Sequence, residues 1–230
     1  MTQQESTIKV SLCLLTWNEI EGCKIDIPRI PKIFDRIYAI DNSSIDGTVE
    51  FLEESGIDVF RQISKSYNGA YRDAIQVAGD SAVVFFHPKG TISVESLGTA
   101  LTKMKNGSDF VLASRIAKEA QNEEDHHLIK PRKWFVIFIA LVCKIRWGLK
   151  RKVYLDDPLH GYRGLSHSYM KTLQLKDLGI TADVEMIRHA YMGDFIVDVF
   201  PVKEVERPDG DTHFPAITTG KKILKYVFWK

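Results

Sequence analysis

The chain has 230 residues, 44% of them apolar and 27% charged, with a formal net charge of +1. That suits one soluble globular domain with an ample core, and so balanced a charge points away from nucleic acid as a partner. Three cysteines, Cys13, Cys23 and Cys143, form no CxxC spacing and are odd in number, which fits a reducing compartment better than a disulfide framework.

The N-terminal "MTQQESTIK" has no apolar stretch, so it does not read as a secretory signal. "VSLCLLTW" (Val10–Trp17) is a near-continuous apolar run, as expected of a strand covered on both faces. "RIYAID" (Arg36–Asp41) is a second strand. "DGTVEFLEESG" reads as a helix stopped by Gly56. "IDVFR" is a third strand, and "NGAYRDAIQVAG" a helix ended by Gly79. "AVVFF" is the fourth strand. "SVESLGTALTKM" is a helix with Ser93 as candidate N-cap, and "DFVLASR" the fifth strand. Strands alternating with helices predict a three-layer α/β fold with a mostly parallel central sheet. The pattern breaks after Arg115. There an acidic loop containing "EEDHH" (Glu123–His127) precedes a basic apolar segment. Adjacent residues on one loop rarely converge on an ion, so that cluster reads as solvated. One domain spanning residues 1–230 is expected.

Ligands of open α/β sheets bind beyond the carboxyl ends of the strands. Strand one ends in Thr16-Trp17-Asn18-Glu19, strand two in "DNSSIDGT" (Asp41–Thr48), strand four in His87-Pro88-Lys89 and strand five in Ser114-Arg115. Neither GxGxxG nor GxxxxGK[ST] is present, which removes a dinucleotide fingerprint and a P-loop. The acidic turn after strand two suits a base or ribose better than a phosphate. Asp46 and Ser44 read equally as turn caps.

Taken in order, "TWNE", "IDNSSIDGT", the Asn-Gly helix, "DDPLHGYRGLS" (Asp156–Ser166) and "GITADVEMIRHAYMGDFIVDVFPVKEVERPDGDTH" resemble the family 2 glycosyltransferases of the GT-A fold, over roughly Ile8 to His213. Within that family the polyprenyl-phosphate enzymes, of the dolichyl-phosphate mannose synthase kind, look most similar. The resemblance implies inverting transfer of a sugar from a UDP or GDP donor to a membrane-linked phosphate or a glycan acceptor. It implies Thr16, Asn18, Glu19, Asp41, Ser44 and His87 at the nucleotide. It implies Arg115, Asp157, Arg163, Glu185, Arg207 and His213 around diphosphate and sugar. Asp183 stands where the family has a catalytic carboxylate, a general base for a hydroxyl acceptor, or else a residue at a helix start with Thr181 as cap.

The family usually holds Mg²⁺ or Mn²⁺ through an Asp-x-Asp at the end of strand four. Here those positions are His87-Pro88-Lys89, so no metal cofactor is expected. Three readings of Lys89 stay open. It replaces the metal as a point charge beside the diphosphate. Or the protein is a non-catalytic homologue that binds nucleotide or a partner. Or Lys89 is a solvated turn residue.

From Lys130 to Lys152 there are eight Lys and Arg and no acid, flanking ten apolar residues, Trp134 to Cys143. Ten are too few to span a bilayer. The C-terminal "KKILKYVFWK" repeats the theme as an amphipathic helix over 218–230. A buried helix, a homo-oligomer contact and a peripheral site on the cytoplasmic face of a membrane all fit these segments, and the expected location is the cytoplasm.

Overall fold

The computed structural model describes residues 8–175, 179–208 and 215–230. Seven strands join one sheet: β1 (Val10–Thr16), β2 (Arg36–Asp41), β3 (Asp58–Arg61), β4 (Ala82–Phe86), β5 (Phe110–Ser114), β6 (Arg163–Leu165) and β7 (Val197–Pro201). Their order is β3-β2-β1-β4-β6-β5-β7, all parallel except β6. The α/β, mostly parallel sheet expected from the alternation is therefore observed. The strands read in chain order did not include β6 or β7. β6 is three residues long and enters antiparallel between β4 and β5, pairing Val84 and Val111 to Gly164.

Why the strands read as unbroken apolar runs is plain from their burial. Side chains alternate across a sheet, and both faces are covered. From β1, Val10, Leu12 and Leu14 enter one core while Cys13 and Leu15 enter the other. β4 divides the same way, with Val84 and Phe86 opposite Val83 and Phe85. Helices α1 (Ile20–Asp26), α2 (Thr48–Glu54) and α4 (Ser96–Lys105) cover one face. The other is covered by α3 (Ser66–Ala78), α5 (Pro131–Trp147), α6 (His167–Thr172), α7 (Ala182–Met192) and α8 (Ala216–Trp229). All three cysteines are buried and unpaired.

Helix ends mostly follow the expected signals. Gly56 and Gly79 take positive φ of 77° and 60° just beyond α2 and α3, where only glycine is at ease. Ser93 is not the N-cap of α4. The helix begins after Glu95, and Ser93 offers its carbonyl to the Ser96 amide. Thr181 does hold the N-cap position of α7, yet its hydroxyl donates to Glu185 Oε1 (2.7 Å) rather than capping.

"EEDHH" is a structural device. Residues Glu123–His126 form a short 3₁₀ turn, capped by Asn122. Glu124 accepts from the backbone amide of Lys133 (2.9 Å) at the start of α5, where the helix dipole favours an anion. Glu123 pairs with Arg132, and Asp125 with Lys130 and Lys133. Among the described residues no helix is long and apolar enough to cross a membrane.

Candidate functional site

At the carboxyl ends of β1, β2 and β4 the chain makes two interlocked turns. Asp41 is buried. Its carboxylate accepts from the Thr16 hydroxyl (2.8 Å), the Ser44 hydroxyl (2.6 Å) and the Ser44 amide (2.8 Å). Asn18, at φ 50°, gives its amide to Ser44 Oγ and takes the Ile45 amide on Oδ1. Asp46 accepts from Thr48 and from the Ile20 amide, tying α2 to α1. Burial opposes ionisation of Asp46, but these hydrogen bonds outweigh it and hold the carboxyl below its ordinary value. So Asn18, Asp41 and Ser44 build the floor of a site, while Thr16 and Glu19 face into it.

The cleft beyond has two adjoining parts, of about 280 and 240 Å³, which together reach the size of small-molecule sites. Thr16, Glu19, Gln62 and Ser66 line the first. Arg115, His160, Asp183 and Glu204 line the second, with Thr219 and Ile223 of α8 as its far wall. Tyr67, His87 and Lys89 border both.

The turn carrying Lys89 is clamped. α1 lies so close that a methyl group at Gly22 would come within 2.6 Å of Lys89 Cα. Asp26 Oδ2 takes the Gly90 amide at 2.8 Å, and burial pushes the Asp26 carboxyl up to about 6. On the other side a methyl at Gly161 would sit 2.5 Å from the His87 ring. Burial, followed by the nearby charges of Lys89, His160 and Arg163, depresses His87 well below its ordinary value, so it is a neutral imidazole at pH 7.

The basic groups of the cleft differ in how they are spent. Arg115 makes a bidentate pair with Asp157 (2.7 and 2.9 Å) and reaches Glu204 at 3.2 Å. Burial alone would raise Asp157, yet Arg115 holds it below its usual range. Arg163, fully buried in β6, pairs with Asp183 at 3.0 Å and donates to the Asp183 carbonyl, also at 3.0 Å, and to that of His160. Asp183 also lies 3.3 Å from the Tyr67 hydroxyl and 3.4 Å from that of Tyr71. Burial lifts its carboxyl above the ordinary value while Arg163 pulls the other way. Arg207 is paired with the buried Glu19. Lys89 alone among these four has no carboxylate within ion-pair reach among the described residues. Burial lowers its pKa, and Glu19 is the largest opposing influence.

Of the residues singled out in the sequence, the fold therefore brings Thr16, Glu19, His87, Lys89, Arg115 and Asp183 to the cleft. Asp157 lies behind Arg115, Arg163 beneath Asp183, and Arg207 against Glu19. Glu185 does not line the cleft. It is buried against Asn68 (2.9 Å) and Thr181. His213 lies outside the described residues. Sequence reasoning missed Tyr67, Ser66, His160 and Glu204, although His160 and Glu204 both stood in quoted motifs.

A hard divalent cation wants several free oxygen ligands. The turn after β4 offers a neutral imidazole and an ammonium, and Asp157, Asp183, Glu204 and Glu19 are each engaged by an arginine. Among the described residues this donor set does not fit Mg²⁺ or Mn²⁺, and no group of three or more His, Cys, Asp or Glu there is arranged to hold a metal.

His160 supplies a pH prediction. Its Nδ1 lies 2.8 Å from the Ala113 carbonyl; burial first, then Arg115, depress it to about 3, with Asp157 opposing and Arg163 adding slightly. An unfolded histidine titrates near 6.5. The unfolded chain therefore takes up a proton that the folded one refuses, and stability falls as pH drops below about 6.5. By about pH 4.5 this site alone costs roughly 2–3 kcal/mol. Urea unfolding at both pH values checks it. His160→Gln should lose less stability than the parent over that interval, by about this amount. Equal losses would show that His160 titrates normally.

The family model described as Glycosyl transferase family 2 matches residues 20–168. Among curated proteins none matches the sequence. The solved structures include clear likenesses. One is glucosyl-3-phosphoglycerate synthase from Mycobacterium tuberculosis in complex with phosphoglyceric acid, at 15% identity and TM-score 0.69, over 97% of this chain and 80% of that one. The same synthase with Mn²⁺ and UDP-glucose gives 15% and 0.69, over 97% and 80%. With UDP it gives 14% and 0.69, over 97% and 80%. At such identity the likeness establishes the fold.

Proposed function

Since the chain belongs to glycosyl transferase family 2, we propose that it transfers a sugar with inversion from a nucleoside-diphosphate donor, without a metal ion, to a lipid-borne phosphate or a glycan hydroxyl. The acceptor oxygen forms a bond to the anomeric carbon as the bond from that carbon to the diphosphate breaks, and the diphosphate leaves with the electron pair. Negative charge grows on the leaving group, and charge stabilisation there is the main chemical demand. One observation carries the reading: at the strand end where family members place metal-binding carboxylates, the cleft presents the Lys89 ammonium with no carboxylate paired to it among the described residues, while Arg115, Arg163 and Arg207 are each committed. A fixed ammonium between the two halves of the cleft offers the leaving diphosphate a counter-charge.

Asp183 serves a hydroxyl acceptor as general base, its burial making it the more basic. A phosphate acceptor is already ionised and needs no base; Asp183 then orients it. Nucleotide and ribose are assigned to the half of the cleft lined by Thr16, Glu19 and Ser66, above the Asp41–Ser44 turn. The solved synthase was crystallised with Mn²⁺ beside UDP-glucose; the present reading departs from that protein in its metal and in its acceptor.

A second reading, a non-catalytic homologue that binds nucleotide or a partner protein, draws on the engagement of Asp183 by the buried Arg163. Titration calorimetry with UDP and GDP separates the first reading from the partner-binding form of the second, and sugar transfer from the nucleotide that binds separates it from the nucleotide-binding form. Binding should be seen for one of them, with the same affinity in EDTA as in Mn²⁺. Loss of binding in EDTA would overturn the metal-free reading, and absence of any binding would favour the partner-binding homologue.

A further inference from the structure

α5 is apolar on two opposite sides. Val136, Ile139, Ala140 and Cys143 are buried against the core. Across the helix, at the spacing of a single stripe, Trp134, Phe138, Leu141 and Ile145 are 55%, 45%, 50% and 53% exposed. A surface helix normally turns polar residues outward, and a contiguous apolar face of this kind marks an interaction site. α8 extends it. Arg146 Nη1 donates to the Phe228 carbonyl at 2.7 Å, and Trp147 meets Tyr226 edge-on, so α8 is fixed beside α5 with Phe228 and Trp229 exposed.

Charge identifies the occupant. The cations at the start of α5 are neutralised by Glu123 and Asp125. Those around its end and along α8 are not: Lys150, Lys152, Lys221, Lys222 and Lys225 are exposed and have no carboxylate partner among the described residues. An isologous contact with a second copy would set this lysine-rich patch against the same patch, which is unfavourable. Aromatic rings set among lysines beside an aliphatic stripe match the boundary layer of a bilayer, where rings sit at headgroup depth and lysines meet anionic lipid.

We propose that the α5–α8 surface docks on an anionic phospholipid bilayer, with Trp134, Phe138, Leu141 and Ile145 sunk into the headgroup boundary. This deepens the functional reading by assigning the acceptor to a lipid carrier, and rests on it only to that extent. Thr219 and Ile223 of the same α8 wall the acceptor half of the cleft, so a carrier held in that bilayer meets the cleft beside the docked surface.

Flotation of the full chain with vesicles tests it, using phosphatidylglycerol mixed with phosphatidylcholine against phosphatidylcholine alone, at low salt. The expected result is co-flotation with the anionic vesicles only, weakened by added salt and reduced about tenfold or more by Phe138→Asp/Leu141→Asp. Both changes lie on the exposed stripe, and thermal melting checks that the variant remains folded. A second measurement uses phosphatidylcholine and phosphatidylglycerol with brominated acyl chains: tryptophan quenching should occur, and Trp134→Phe should remove a large part of it. Failure of the folded parent chain to float on anionic vesicles overturns the proposal. So does unchanged flotation of the double variant, and so does a solution dimer that the double variant splits, which would make the stripe a self-contact. UDP and GDP titrations on the same preparations keep the two readings apart, because retained nucleotide binding in a chain that does not float sinks the docking alone.

Discussion

Lys89→Ala lowers the rate of sugar transfer by about 10²-fold or more, the scale of losing one charge-stabilising donor at a developing anion. The ammonium it removes borders both halves of the cleft and has no carboxylate partner among the described residues. Nucleotide binding reads the effect without knowledge of the acceptor. Affinity for UDP or GDP should fall by about 1.5–3 kcal/mol, the range for a hydrogen bond to a charged group. Affinity for the corresponding monophosphate should fall less, because its single phosphate needs less of the counter-charge. Added Mn²⁺ should not restore the variant, since an alanine supplies no ligand. An unchanged rate and an unchanged diphosphate affinity would return Lys89 to an ordinary turn role. Lys89→Arg should recover part of the loss, limited by the tight approach of α1 at Gly22.

The second large effect concerns stability. Arg163→Ala should destabilise the fold by about 3–5 kcal/mol, because it strands a buried carboxylate. Arg163 is fully buried, and its guanidinium serves the Asp183 carboxylate and the carbonyls of Asp183 and His160 together. Against a typical total of 5–15 kcal/mol for a folded protein, that loss would show clearly in urea unfolding. The double variant Arg163→Ala/Asp183→Ala should lose less than the two single changes combined, since each single change leaves a charge unpaired. A cost below about 1 kcal/mol for Arg163→Ala would mean that water reaches the pair.

Five strands were readable in the sequence, with α2, α3 and α4 between them but not α1, because a strand covered on both faces has no polar side to hide it. "VSLCLLT" and "AVVFF" are apolar for that reason, and alternate residues of each reach different cores. β6 was not readable. Three residues, one of them an arginine, carry no period, and only the gap between β4 and β5 makes them a strand. The cleft was legible as a set of strand ends but not as a set of charges. Arg115, Arg163 and Arg207 look alike as sequence. Their partners lie 42, 20 and 188 residues away, so which cation lacks a carboxylate among the described residues is decided by tertiary structure. Asp41 and Ser44 were legible as a polar turn, yet their hydrogen bonding to each other and to Thr16 depends on β1 and β2 lying side by side. Tyr67 and Ser66 left no mark, because an aromatic or a serine at a helix start has too many ordinary uses.

α8 has two working sides. Thr219 and Ile223 wall the cleft, while Ile217, Phe228 and Trp229 face outward. One rigid helix with both duties makes the two sides a single thermodynamic system. Whatever shifts α8 from outside also moves the cleft wall, and a molecule filling the cleft biases the outer surface in return. Linkage then requires reciprocity: the factor by which an outer partner alters nucleotide or acceptor affinity equals the factor by which nucleotide or acceptor alters affinity for that partner. Donor affinity measured on the free chain is in that case a property of one state of α8, and its change on loading the outer face measures the coupling.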